Sequence, residues 1–478
     1  MPKIIGCSSE SNPPVIQIEE SINILMTEFV CQKKDGVFLP FSGNSVGGNW
    51  FLPLVLSFLL VGELCLPVKG QAQSFSETGN FYFTGSHRPL QSGRTQFREF
   101  MGGDGLKVGP VQLHPFFGVA EVFTDNVFRR KTDRKSDFLT TLAPGLQALL
   151  PFGGGKHSVV LDYRATQFLY NKFSENNALA QDAQGHVSLN FPGGLSVDVQ
   201  GGYLQGFDPR GSELDTQQLD ITKWNLTTVL GQVEYSGKKG GIRFRSAMIN
   251  LHYTNNGQAP VRDRTRIRSD VTVFANVTRS TSALLGVRIE TNDFDKNTQL
   301  NNFGYGVFTG FRLAPTRQFS GEFNIGYNIL NFDRAPIPED QPVTPGLSRG
   351  SKQRTAVFMQ GNLHWNPTSR LSFHATPYRI IQQSAVFNTG TFIRTGVNIS
   401  GNKVLTQRLA LRGVFNYQNI DYDSGRVDDQ FRWRIGPAYR AVNWLGFRLD
   451  YIFDKRDSSQ NNFNYYANTI MFSVEGIL

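Results

Sequence analysis

The sequence predicts an all-β chain, a transmembrane antiparallel β-barrel of about 18 strands (16–18) over residues 107–478. Three observations lead there. Apolar and polar residues alternate with period two along segments of about ten to fourteen residues, whereas strands of soluble proteins average five or six. The connections between these segments alternate short and long, as the two rims of a membrane barrel do. Beyond residue 73 nothing approaches a membrane-spanning helix, and no segment shows convincing 3.6-residue periodicity.

The alternation is clear in "RIRSDVTVFANVT". Ile267, Val271, Val273, Ala275 and Val277 share one parity, and Arg266, Arg268, Asp270, Thr272 and Asn276 the other, with Ser269 and Phe274 as exceptions. "LGFRLDYIFD" sets Leu445, Phe447, Leu449, Tyr451 and Phe453 against Arg448, Asp450 and Asp454, and "FRWRIGPAYR" sets Phe431, Trp433, Ile435 and Tyr439 against Arg432, Arg434 and Arg440. Successive side chains of a strand point to opposite faces, so each segment has one apolar and one polar face. Lipid cannot satisfy polar groups, so the apolar parity should face the bilayer and the polar parity the lumen.

Short connections are expected at Pro192-Gly193-Gly194, 237–241, 278–282, Pro315-Thr316, Pro367-Thr368 and Val442-Asn443. Long polar ones are expected at 174–184, 208–223, 255–263, 293–301, 333–353, 421–427 and 456–461. Strand centres then fall near 119, 143, 163, 187, 199, 230, 247, 271, 287, 308, 325, 359, 376, 396, 411, 434, 449 and 470. An even number places both ends of the barrel at one rim.

The run "NWFLPLVLSFLLVGELCLPVKGQAQ" (49–73) has an apolar core of about thirteen residues, against the roughly twenty of a membrane helix. With small residues at Gly70 and Ala72, it is expected to be a signal peptide cut between Ala72 and Gln73. Residues 1–72 are then a leader, with translation expected to start near Val30, and 73–106 a polar segment that lies in the periplasm or plugs the lumen. All three cysteines, Cys7, Cys31 and Cys65, precede the cut. A mature chain without cysteine fits export and leaves no cysteine for zinc or disulfides. The formal charge of +9 is spread along the chain with no nucleic-acid motif, so no nucleic-acid partner is expected.

On the lumen parity fall Arg164, Arg266, Arg268, Arg288, Arg312, Arg394, Arg412, Arg432, Arg434, Arg440 and Arg448, interleaved with Asp162, Asp198, Asp270, Glu290, Glu322 and Asp450. They can be cross-strand ion pairs that stiffen the wall. They can equally supply a guanidinium surplus that favours anions. Tyr170, Tyr203, Tyr235, Tyr253, Tyr327, Trp365, Tyr417, Trp444, Tyr465 and Tyr466 lie near strand ends, where interfacial girdles form, with sugar stacking in the lumen as the alternative.

Enzymatic signals are poor. "FGGGKHS" (152–158) has His157 where a phosphate loop needs Ser or Thr, and reads as a tight turn. "GYGVFTG" (304–310) has the wrong spacing for a dinucleotide fingerprint, and the seven histidines show no metal-ligand spacing. No G-x-S-x-G elbow occurs. No catalytic residue, metal or cofactor is expected.

Two stretches are more specific. "GLKVGPVQLHPFFGVAEVFTDNVF" (105–128) and "SDFLTTLAPGLQALLPFGGGKHSVVLDYRATQFLY" (136–170) share Asp125-Asn126-Val127-Phe128, Ser136-Asp137, Pro144-Gly145 and Asp162-Tyr163 with a known family. They resemble the opening of the "putative β-barrel porin" family that includes outer-membrane proteins of exopolysaccharide operons. The resemblance implies an outer-membrane barrel and, more loosely, surface polysaccharide traffic. The expected partners are outer-membrane lipid and lipopolysaccharide, the barrel-assembly machinery and polysaccharide-export proteins. The expected function is a passive conduit for anionic polysaccharide or other anionic solutes. A structural or adhesive barrel with a filled lumen, or a barrel hydrolase, are the alternatives.

Overall fold

The computed structural model describes residues 105–212, 220–313, 318–333, 352–383 and 391–478. The leader, its cleavage site at Ala72 and Gln73, and nearly all of the 73–106 segment lie outside the described residues. A three-residue strand β1 (Leu106–Val108) folds back on the start of β2. The long strands are β2 (Val111–Thr124), β3 (Asp137–Phe152), β4 (His157–Tyr170), β5 (Ala178–Asn190), β6 (Leu195–Phe207), β7 (Lys223–Ser236), β8 (Gly240–Tyr253), β9 (Arg264–Asn276) and β10 (Thr281–Phe294). They continue as β11 (Asn302–Leu313), β12 (Phe319–Phe332), β13 (Gln353–Thr368), β14 (Leu371–Gln383), β15 (Thr391–Val404), β16 (Leu409–Tyr422), β17 (Val427–Val442), β18 (Leu445–Ser458) and β19 (Tyr465–Ile477).

Each strand from β2 to β19 pairs antiparallel with its sequence neighbour, and β19 pairs with β2 from Thr469↔Thr124 to Ile477↔Phe116. The molecule is therefore a closed barrel of 18 strands. Every expected strand centre lies in its own successive strand.

The alternation explains why the sheet closes. Leu285, Val287 and Ile289 are exposed on one face of β10, while Leu284, Arg288 and Glu290 are buried on the other. The exception Ser269 does stand on the outer face, where its hydroxyl pairs with that of Ser246 on β8 at 2.9 Å. A cross-strand partner lets a polar group sit on a surface that offers it no water. The exception Phe274 points inward, beneath the guanidinium of Arg312 at 4.7 Å.

One rim carries tight turns and the other longer loops. The "FGGGKHS" stretch is such a turn, with Gly153, Gly154 and Gly155 all at positive φ (60°, 69° and 83°). Several expected boundaries move. The expected 174–184 loop ends early because β5 starts at Ala178, Pro367 and Thr368 belong to β13, and the 421–427 and 456–461 connections narrow or shift toward 423–426 and 459–464. The cause is shared: a strand whose inward residues are polar resembles a loop in sequence. In the 255–263 loop a single-turn helix α1 (Ala259–Arg262) precedes β9.

The family-like residues build the closing seam. Past the end of β2, the Asp125 amide donates to the Asn468 carbonyl of β19 at 3.1 Å. Its carboxylate accepts from the Asn468 main-chain amide (2.8 Å) and side-chain amide (2.7 Å), and pairs with Arg134. Asn126 adds a side-chain bond to the Tyr466 carbonyl at 2.8 Å. At the other rim, the Leu478 amide donates to the Pro115 carbonyl at 3.1 Å. Asp137, 1% exposed, accepts the main-chain amides of Lys172 and Phe173 and ties the β4–β5 loop to β3. Gly145 is needed because a Cβ there would overlap the Phe116 ring and approach the Tyr163 carbonyl to 2.6 Å.

Candidate pore lining and mouth

The inner wall is organised as ion networks. On β9 and β10, Asp270 receives Arg268 (3.0 Å) and Arg288 (2.6 Å), and Glu290 receives Arg266 (2.8 Å). All of these side chains are nine-tenths or so buried, so each charge depends on its neighbours rather than on water. A second network joins strands four apart around the sheet. Arg243 of β8 makes a two-pronged pair with Glu322 of β12 at 2.7 and 2.8 Å, and Arg312 of β11 does the same with Glu234 of β7 at 2.7 and 3.1 Å. Such forked pairs are geometrically specific. They tie the β7–β12 arc across its own concavity.

A third network lies on β16 to β19. Arg434 holds Asp450, Arg448 bridges Asp450 (3.1 Å) and Glu475 (3.5 Å), and Arg412 lies in the field of both carboxylates. The fourth stands at the long-loop mouth. Arg432 (2.6 Å) and Arg129 (3.5 Å) converge on Asp454, while Arg426 and Arg456 (3.7 Å) converge on Asp428.

Of the eleven arginines expected on the lumen parity, the ion pairs just described hold seven: Arg266, Arg268, Arg288, Arg312, Arg432, Arg434 and Arg448. Arg164 lies over the Phe116 ring at 4.7 Å, and Arg394 is 5.6 Å from the Phe392 ring. Arg440 reaches the Gln407 carbonyl at the short-turn rim, at 2.6 Å.

Beside these charges, β12 to β16 also present uncharged amides and hydroxyls. Asn416 bonds Asn398, Tyr378 donates to Gln418 at 3.0 Å, and His374 pairs with Asn362 at 2.6 Å. Asn362 is exposed although its parity is inward, which marks open space at the short-turn end.

The long-loop end differs. Beside the fourth network, many inward positions there are apolar or aromatic: Val122, Leu139, Phe168 and Met471 pack with Phe207 and Ile221, and Trp224, Leu226 and Leu251 with Tyr253. This collar was not anticipated, because apolar residues were assigned to lipid wherever they occurred. The available signal was strand ends apolar on both parities, such as "NILNF" (328–332). The collar corrects three aromatic assignments. Tyr253 (1% exposed) and Tyr465 (4%) are buried on the inner face, and Tyr170 packs on the collar, so none belongs to an interfacial girdle. Tyr203, Tyr235, Tyr327, Trp365 and Tyr466 are exposed on the outer face, and Trp444 is exposed in the turn between β17 and β18. Phe319, Trp365 and Phe373 form a stack there, with ring centroids 6.1 and 5.4 Å apart.

Among the described residues no group of three or more His, Cys, Asp or Glu side chains is arranged to hold a metal ion. No curated protein matches the chain. Solved structures with a similar closed barrel include OpdL of Pseudomonas aeruginosa (11% identity, 78% of this chain and 99% of that one, TM-score 0.39). The FrpB iron transporter of Neisseria meningitidis (11%, 80% and 82%, 0.40) and the siderophore receptor PirA of Pseudomonas aeruginosa (9%, 77% and 81%, 0.39) are others. At such identities and TM-scores their ligands do not transfer to this chain. The family match is of another kind, since it spans the seam motifs, all the ion networks and the collar. From residue 101 to residue 476 the sequence fits the family described as "Putative beta-barrel porin 2", and the chain belongs to that family.

Proposed function

We propose that this porin-like barrel is an outer-membrane conduit for anionic solutes, anionic polysaccharide among them. The observation that carries the reading is the composition of the four inward networks. Arg266, Arg268 and Arg288 face Asp270 and Glu290; Arg243, Arg245 and Arg312 face Glu234 and Glu322; Arg412, Arg434 and Arg448 face Asp450 and Glu475; and Arg129, Arg426, Arg432 and Arg456 face Asp428 and Asp454. Among the described residues, each network holds more guanidinium than carboxylate groups. The pairs stiffen the wall, and the remainder gives the lumen a positive field that concentrates anions. Carboxamides on β12 to β16 both donate and accept, which suits the hydroxyls of a sugar chain sliding past.

Passage in this reading is diffusive. The barrel contributes field and shape, and any directional pull on a polymer comes from polysaccharide-export proteins on the periplasmic side. Outer-membrane lipid and lipopolysaccharide contact the apolar outer band.

A structural barrel with an obstructed lumen is the second reading. The observation favouring it is the deep burial of the arginines themselves: Arg268, Arg288, Arg394, Arg434 and Arg448 are only 3–6% exposed. Planar-bilayer recording separates the two. Anion-selective openings are expected of the conduit, and a silent bilayer is expected of the filled barrel.

A further inference from the structure

The outer wall places an arginine where lipid is expected. On β14, Phe373 and Arg379 share a parity, and Phe373 belongs to the outer stack with Trp365 at the short-turn rim. Six residues of strand separate them, about 20 Å at roughly 3.3 Å per residue. With strands tilted by about 40°, that is about 15 Å of height within an apolar band about 25 Å tall. Arg379 therefore stands above the middle of the band, in the leaflet of the long-loop side. Its register partner on β13 is Met359, and the next residue of the row is Ile325 on β12, exposed on the same face.

In the other direction the row runs from Arg379 through Thr395 and Asn419 to Asp429 on β17. The half-buried guanidinium donates from Nη1 to the Thr395 hydroxyl at 2.5 Å, and no carboxylate among the described residues pairs with it. Asp429 is engaged elsewhere, accepting the Tyr417 hydroxyl (2.8 Å) and the Asn419 amide (3.1 Å). Other outward cations of the long-loop side do have carboxylates, Arg134 with Asp125 and Lys455 with Asp457. Hydrocarbon does not solvate a guanidinium, so a lipid-facing arginine persists where its head meets water or an anion. Thr395 accepts from Arg379 and keeps its own hydroxyl hydrogen to donate, so two donors stand side by side on the wall.

We propose that Arg379 and Thr395 form a lipid-phosphate site. A phosphate of a lipid headgroup in the long-loop leaflet accepts the guanidinium fork and the Thr395 hydroxyl, and the acyl chains lie along the apolar wall beside them. The planar guanidinium matches two phosphate oxygens at once, which a lysine ammonium does not. Ile325, Val357 and Ile399 of that wall are 42%, 45% and 38% exposed, like the rest of the outer face. The patch is thus an ordinary stretch of lipid-facing wall with a donor pair set into it, which favours a lipid over a second protein as its occupant. The site lies on the side away from the lumen and is independent of conduction.

The test titrates the full chain in detergent micelles with bisphosphorylated lipid A and with the same lipid stripped of its phosphates, and reads retention by native mass spectrometry. The unmodified protein should hold the phosphorylated form at least tenfold more tightly, the effect of a charged hydrogen-bond partner. Arg379→Gln should lose that discrimination, and Arg379→Lys, which keeps the charge and loses the fork, should keep part of it. Thr395→Val should weaken retention about threefold, the share of one neutral hydrogen bond. Heat-modifiable gel migration confirms that each variant is folded, and the comparison of the two lipids needs no variant at all. Equal retention of the two lipids, or undiminished discrimination in Arg379→Gln, would overturn the proposal and leave an arginine that only reaches interfacial water. Displacement of the lipid by inorganic phosphate at equal concentration would overturn it in favour of a soluble anion. A dimer that Arg379→Gln dissociates whatever the lipid would overturn it in favour of a carboxylate from a second copy. The readout needs no current, so a barrel that fails to conduct refutes the conduit and leaves this site standing.

Discussion

Asp125 offers the most quantitative handle on how the barrel closes. Its carboxylate accepts two hydrogen bonds from Asn468 at 2.8 and 2.7 Å and pairs with Arg134, joining the first long strand to the last. Bonds to a charged acceptor contribute about 1.5–3 kcal/mol each. The side chain is 27% exposed, which screens the Arg134 pair toward the low surface values. Asp125→Ala should therefore cost about 2–4 kcal/mol, and Asp125→Asn, which keeps one acceptor, about half of that. Partial burial opposes the charged form, but the Asn468 side-chain and main-chain donors and Arg134 outweigh it and hold the carboxyl below its ordinary range. The sign follows: the contribution is complete above the unfolded value near pH 4 and is lost as pH falls through the lower folded value. Urea unfolding of the purified barrel at pH 7 and pH 3, followed by heat-modifiable gel migration, measures both effects. An Asp125→Ala barrel within about 0.5 kcal/mol of the parent, the usual range for an inconsequential surface change, would refute the seam argument.

Three further outcomes are expected. Asp270→Asn leaves Arg268 and Arg288 buried without their shared carboxylate, at a cost of about 3–5 kcal/mol, and a urea midpoint unchanged from the parent would contradict it. Gly145→Ala forces a methyl into the Phe116 ring and toward the Tyr163 carbonyl, for a loss of about 1–3 kcal/mol by the same assay. Arg412→Gln combined with Arg434→Gln removes two positive charges from the β16–β19 network while leaving Arg448 on Asp450. It should move the zero-current potential toward cation preference, and an unmoved potential would remove that network from the conduction path.

Much of this architecture was legible because a barrel strand in lipid writes its two faces into alternate residues. Ile267, Val271 and Val273 against Arg268 and Asp270 state both the face and the period, and the sheet obeys them. The strand ends were harder to read. Residues 178–184 looked like a loop because Gln181, Asp182 and Gln184 are polar, yet they are strand residues of β5. Parity also failed at the mouth, where Trp224, Leu251 and Tyr253 face inward under folded loops rather than outward to lipid.

The candidate lining was legible as a set of arginines but not as networks. Arg243 and Glu322 are 79 positions apart in the chain and meet only because β8 and β12 curve toward each other. The bond from Arg456 to the Gly211 carbonyl, 245 positions away, is a property of closure and has no local signature. The Asp125-Asn126 motif, readable as an ordinary turn, is explained by the strand it reaches across to join.

The central claim is that the closed barrel is an anion-favouring conduit. Reconstitution of the purified protein into a planar bilayer under a tenfold potassium chloride gradient tests it most directly. The account predicts discrete openings with a reversal potential displaced toward that of chloride. A bilayer that stays silent, or openings whose reversal potential lies toward that of potassium, would contradict it.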